Sequence, residues 1–155
     1  MSIKVSAASA LSGLLILLPL AAGCAGGKIT AVPDHAAFQE VVLASDKPVL
    51  VQFYKGGCLT CVLLDGPMDT LADEYRGRAV VAKYQIMTPF FTYRDKEVRD
   101  AYDITVYPTA VLFVGGKAVK TWRMHYNLQD YRQAMDAAIG PATAPAATSQ
   151  AATLP

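Results

Sequence analysis

The run Val49-Leu50-Val51-Gln52-Phe53-Tyr54 holds a single strongly polar side chain and stops at Lys55-Gly56-Gly57. Its β-branched and aromatic content predicts a strand, and a strand without a polar face has to be covered on both sides. A sheet with helices above and below it meets that requirement. Cys58-Leu59-Thr60-Cys61 follows the glycines directly and opens a helical stretch over residues 58–75, with Leu63, Leu64, Met68 and Leu71 facing inward. Gly66-Pro67 predicts a kink in that helix.

The remaining pattern alternates in the same way. Asp34 is placed to cap a helix whose apolar face is Phe38, Val41 and Val42, and Asp46-Lys47-Pro48 breaks it. Residues 79–84 form a second apolar strand, residues 95–102 a short helix and residues 109–114 a third strand. Gly115-Gly116 predicts a two-residue hairpin turn with positive φ at both positions, and residues 118–122 return as a strand. Asn127 caps a last helix carrying Leu128, Tyr131, Met135, Ala138 and Ile139. The expected order is helix, strand, helix, strand, helix, strand, strand, helix: an α/β, three-layer sandwich with a mixed central sheet flanked by helices.

The ends read differently. Hydrophobic residues make up 53% of the chain, above the roughly 45–50% of a typical globular sequence. An apolar N-terminus and an Ala-rich C-terminus account for the excess. Residues 1–23 carry an early Lys4, an apolar stretch around Leu14-Leu15-Ile16-Leu17-Leu18 and a small-residue exit, the pattern of a secretory signal peptide. The stretch is shorter than the roughly 20 residues of a membrane-spanning helix. Leu20-Ala21-Ala22-Gly23-Cys24 resembles the bacterial lipobox, although Leu20 stands one place early. That resemblance implies cleavage before Cys24, a diacylglycerol on its sulfur and a mature chain exported and anchored to a bacterial membrane facing the periplasm. Ala25 stands where an inner-membrane retention Asp would, which favours the outer membrane. Residues 24–33 are then a lipidated cysteine and tether, residues 34–140 the folded domain, and residues 141–155 a disordered Ala/Thr/Pro tail.

Lys and Arg total 14 and Asp and Glu total 13, with no basic patch to suggest nucleic acid. A monomer is expected. Of the three cysteines, one sits behind the apolar leader and two form the CxxC pair. The first Cys of a CxxC at a helix N-terminus meets free N–H groups and the positive end of the helix dipole, which favour a thiolate. Cys58 is thus the expected exposed nucleophile, and Cys61, one turn later, the shielded thiol that closes the disulfide.

Residues 49–61, together with Leu71-Ala72-Asp73-Glu74-Tyr75-Arg76-Gly77, Val106-Tyr107-Pro108-Thr109 and the Gly115-Gly116-Lys117 hairpin, resemble the thioredoxin-like family over roughly residues 34–139. The resemblance implies a thioredoxin-like sandwich and a thiol–disulfide oxidoreductase with catalytic Cys58 and Cys61. No cofactor beyond that redox-active pair is implied. Pro108 would be cis and would flank the sulfurs, with Tyr107, Leu59 and Thr60 supporting substrate docking. The implied partners are protein thiols and disulfides of the cell envelope and an upstream thiol reductant or oxidant, with reduction the favoured direction.

The departures are informative. The usual Trp-Cys-Gly-Pro-Cys reads Gly57-Cys58-Leu59-Thr60-Cys61, and Arg123-Met124 replaces a usual Gly-Ala. Gln52 stands where the family keeps a buried Asp. It cannot take up a proton at accessible pH, so Cys61 should resolve mixed disulfides slowly. Lys83, the usual partner of that Asp, should turn to solvent or another acceptor. An insertion over residues 87–96 brings Phe90, Phe91 and Tyr93, expected as core or cover packing, with partner docking as the alternative reading.

Two other readings exist. In one, Cys58 and Cys61 bind copper(I), with Met87 or Met124 nearby. Structural zinc needs four protein ligands, and neither His35 nor His125 has ligand spacing to the pair, so no metal site is expected. In the other, the chain is a redox-silent binding domain with a permanent disulfide.

Overall fold

The computed structural model describes residues 28–140. The expected leader, Cys24 and the C-terminal tail lie outside the described residues. In chain order the elements are strand β1 (Thr30–Val32), helix α1 (His35–Phe38), strand β2 (Val49–Lys55), helix α2 (Leu59–Glu74), strand β3 (Val80–Met87), helix α3 (Lys96–Ala101), strands β4 (Thr109–Val114) and β5 (Lys117–Arg123), and helix α4 (Leu128–Ile139). Helix α1 continues as a wider π-helical turn over Gln39–Leu43, closed by Ala44 N donating to Gln39 O at 2.9 Å.

The strands form one sheet in the order β1-β3-β2-β4-β5. β1 and β2 run parallel to β3, whereas β4 is antiparallel to β2 and to β5. The central position of β2 matches its nearly unbroken apolar sequence. β1 corrects the sequence reading: Thr30–Val32 lies in the expected tether, yet it pairs with Ala82, Lys83 and Tyr84. Three residues are too few to show a period, and only the edge of β3 makes them a strand. β3 likewise runs on to Met87, so the insertion begins inside a strand.

Alternation along β2 divides the core. Val49, Val51 and Phe53 face a cluster with Phe38, Val42, Tyr84, Ile86, Val98, Ile104, Val111 and Phe113, under α1 and α3. Phe38 is its hub, with ring centroids 5.5 Å from Tyr84 and 5.8 Å from Phe113. Leu50 faces the other way, toward Leu64, Met68 and Leu71 of α2 and Tyr131 and Met135 of α4. Fully burying one such side chain contributes about 1.5–3 kcal/mol, so both helical layers are held mainly by these two faces.

The local signals hold where a side chain satisfies a helix end. The expected caps Asp34 and Asn127 accept from Ala37 N and Gln129 N at 2.9 and 3.0 Å, and Asp95, read from the sequence as the first residue of its helix, is instead a cap that accepts from Val98 N at 2.9 Å. The hairpin glycines have φ of 54° and 73°, and a Cβ on Gly116 would also sit 2.5 Å from the Leu43 carbonyl oxygen. α2 remains one continuous helix from Leu59 to Glu74 with Pro67 inside it.

Candidate active site

β2 delivers the chain to the C-terminal edge of the sheet, where Gly56 N donates to Met87 O at 2.8 Å. Gly56 has no alternative: a Cβ there would lie 2.6 Å from Gln85 Nε2 and from Pro89 Cδ. Gly57 turns the chain with φ of 71°, and Cys58 follows in an extended conformation as the N-cap of α2. Its sulfur accepts from Cys61 N at 3.2 Å and from the Thr60 hydroxyl at 3.2 Å. These are the donors that stabilise negative charge on a sulfur at a helix start. Cys58 and Cys61 form a disulfide with Cα atoms 5.3 Å apart. Cys58 is half-buried, whereas Cys61 is 2% exposed.

Beside the disulfide is a cavity of about 310 Å³ lined by Tyr54, Lys55, Gly57, Cys58, Leu59, Cys61, Val62 and Lys83. Leu59 and Thr60 are both exposed, and Tyr126 Oη donates to Thr60 O at 3.4 Å. The other predicted residues arrive by sheet register. Thr109 pairs with Phe53 near the end of β2, so Pro108 stands at the same end of the sheet as the CxxC. The Tyr107–Pro108 peptide is cis, and Pro108 O accepts from Met124 N at 3.0 Å. The Tyr107 ring packs into the core on the α1 side, where burial raises its pKa to about 12. The Tyr107 ring is thus turned largely toward the core, and its backbone stands next to the cis bond.

Gln52 is fully buried under α2. Its Nε2 donates to Cys61 O at 3.0 Å and to Asp65 Oδ1 at 3.3 Å, while its Oε1 has no partner. Asp65 Oδ1 also accepts from Lys83 Nζ at 2.6 Å, and that ammonium lies 4.7 Å from the Tyr54 ring centroid. The acceptor expected for Lys83 is therefore Asp65. Sequence reasoning did not single it out, although its place four residues after Cys61 puts it on the same helix face.

The aromatics of the insertion divide. Tyr93 packs against the core, but Phe90 and Phe91 are 88% and 71% exposed, which corrects their assignment as cover packing. Lys55 Nζ lies 3.4 Å from the Phe91 ring centroid.

Among the described residues, no group of three or more His, Cys, Asp or Glu side chains is arranged to hold a metal ion. The histidines are engaged elsewhere, His35 Nδ1 with Asp95 at 2.8 Å and His125 Nε2 with Asp130 at 2.7 Å. Met87 is packed in the core, and Met124 is exposed.

Comparison with known proteins agrees with this geometry. A family model described as Thioredoxin matches residues 29–137. The thioredoxin of Chlorobaculum thiosulfatiphilum is 35% identical over 82 residues, covering 53% of this chain and 70% of that protein. The bifunctional thioredoxin reductase/thioredoxin of Mycobacterium leprae is 33% identical over 92 residues, 59% of this chain and only 19% of that longer protein. Among solved structures, a mutant thioredoxin from Halobacterium salinarum superposes with a TM-score of 0.62 at 23% identity, covering 77% of this chain and 98% of that one.

Proposed function

This chain belongs to the thioredoxin family and is a thiol–disulfide oxidoreductase, and on that premise we propose that it is exported, anchored to a bacterial membrane through Cys24 and active on disulfides of envelope proteins. The site observation behind the chemistry is the sulfur of Cys58 capping α2 while Cys61 lies buried one turn later. In the reduced protein the Cys58 thiolate attacks one sulfur of a partner disulfide, forming the Cys58–partner bond and expelling a partner thiolate. Cys61 then loses its proton and attacks Cys58 Sγ, closing the intramolecular disulfide and releasing the second partner thiolate. Two electrons pass to the partner, both of its sulfurs leave as thiols, and an upstream thiol reductant restores the dithiol. Pro108, with the backbone of Tyr107, borders the substrate segment, and Leu59 and Thr60 flank the attacking sulfur.

Two assays test this reading. Catalysed reduction of insulin by dithiothreitol separates exchange from a redox-silent domain or a copper(I) module. An inert protein with an intact disulfide would remove the enzymatic role. Mass spectrometry of the membrane fraction is expected to show a mature chain starting at a diacylated Cys24, whose two acyl chains suffice for stable anchoring. An unmodified Cys24 in a wholly soluble protein would refute the anchor. The domain division follows from the same reading: a cleaved leader over residues 1–23, a tether after Cys24, the folded unit, and the tail 141–155.

A further inference from the structure

We propose that the loop of residues 88–94 and the cavity beside the disulfide form one docking surface, fitted to substrate segments that carry an acidic side chain and an apolar side chain next to the target disulfide. The proposal rests on the disulfide-exchange reading above and adds the substrate class to it.

The loop is a built structure. Thr88 N donates to Thr92 O at 2.8 Å, Thr92 N donates to Thr88 Oγ1 at 3.1 Å, and Met87 bridges Tyr93 in antiparallel fashion. Phe91 is held at φ of 62°, a conformation that bulky side chains rarely adopt. The protein thus presents two phenyl rings to solvent from an ordered turn, with one of them in a disfavoured backbone state. Neither arrangement serves the core, and exposed aromatics on an ordered turn mark an interaction surface.

The turn is also adjacent to the chemistry. Pro89 packs against Gly56, and its Cβ lies 3.7 Å from where a Cβ on Gly57 would stand, one residue before Cys58. Lys55 joins the two features, since its ammonium covers Phe91 and its side chain lines the cavity. Tyr54, Leu59 and Val62 supply apolar wall to the same cavity.

Charge decides the chemistry of the occupant. Lys83 in the cavity wall is neutralised by Asp65 at 2.6 Å. Lys55 has no carboxylate partner among the described residues, and the Arg94 guanidinium donates only to neutral carbonyl oxygens, Gln85 Oε1 and Pro33 O, each at 3.1 Å. Of these two cations without a carboxylate, Lys55 stands against the Phe91 ring and Arg94 closes the same loop. A partner carboxylate near the scissile disulfide would meet Lys55, and a neighbouring apolar side chain would meet Phe90, Phe91 or Leu59.

The test uses the full-length reduced protein and two peptide disulfides that differ only in having Glu or Lys next to the attacked cysteine. At low ionic strength the Glu peptide is expected to show kcat/KM about 3- to 10-fold higher, with the difference collapsing at high salt. Lys55→Glu should invert the preference, which a merely destabilised variant would not do. Phe90→Ser/Phe91→Ser should raise KM for both peptides. Equal kcat/KM for the two peptides in the native protein overturns the proposal. It is also overturned if the double variant loses binding to phosphatidylglycerol vesicles while its peptide kinetics stay native, which would make the loop a lipid contact. Failure of the native protein to reduce hydroxyethyl disulfide, a neutral small substrate, would instead sink the underlying exchange reading.

Discussion

Lys83 on β3 and Asp65 on α2 meet at 2.6 Å directly beneath the disulfide-bearing turn. Lys83 stands opposite Gln52 in the β2–β3 register, so both side chains rise from the same face of the sheet toward α2. Gln52 cannot neutralise an ammonium, and the helix supplies the carboxylate that the strand lacks. The buried amide then ties Asp65 to the Cys61 carbonyl through one nitrogen.

Gln52→Asp would set a second carboxylate against Asp65, with only Lys83 to compensate the pair. Like charges at that range raise the pKa of one member and so place a proton acceptor under Cys61. Closure of the Cys58–Cys61 bond is expected to accelerate, while the first attack by Cys58 changes less. Single-turnover kinetics on a peptide disulfide resolve the two steps. An unchanged closing rate would mean that proton removal from Cys61 does not limit this protein.

The second prediction concerns pH. Burial works to raise the pKa of Asp95, but hydrogen bonds from Val98 N, Tyr84 Oη and His35 outweigh it and leave the carboxyl below its ordinary value. The hydrogen bond to Asp95 in turn raises His35 above its ordinary value of 6.5. A raised histidine stabilises the fold fully below its unfolded pKa, and that contribution fades as pH rises through the folded value. The lowered aspartate contributes above its unfolded pKa and fades as pH falls through its folded value. His35→Ala is therefore expected to lose more stability near about pH 5.5 than near about pH 9. Urea unfolding at both pH values measures this, and an equal loss would show that the contact is not charged.

Cys58 should react first with iodoacetamide in the reduced protein, because its sulfur faces the free N–H groups of α2 and Cys61 is shielded. Peptide mapping after brief labelling reports the order. In Cys61→Ser, mixed disulfides through Cys58 should accumulate on envelope proteins. Dominant labelling at Cys61 would reverse the assigned roles.

Gly56→Ala should cost about 1–3 kcal/mol, the usual penalty for forcing an extra group into a packed site, because the new Cβ meets Gln85 and Pro89. Denaturant unfolding gives the stability loss. Displacement of Pro89 should also move Phe90 and Phe91, read as chemical-shift changes in their backbone amide resonances. A native-like stability would show that the loop yields freely.

The sequence by itself determined that β2 is a strand covered on both faces, that the CxxC opens a helix and that Gly115-Gly116 turns a hairpin. Each depends on a local period or on a backbone requirement written in neighbouring residues. The tertiary structure alone decided that Thr30–Val32 is a strand, because its partner among the described residues is the edge of β3. It also paired Asp65 with Lys83, 18 positions away, and His35 with Asp95, 60 positions away. It turned Phe90 and Phe91 outward, where hydrophobicity had argued for the core. Contacts across the sheet and the direction of a turn depend on where distant segments come to rest, and residue type and spacing do not encode that.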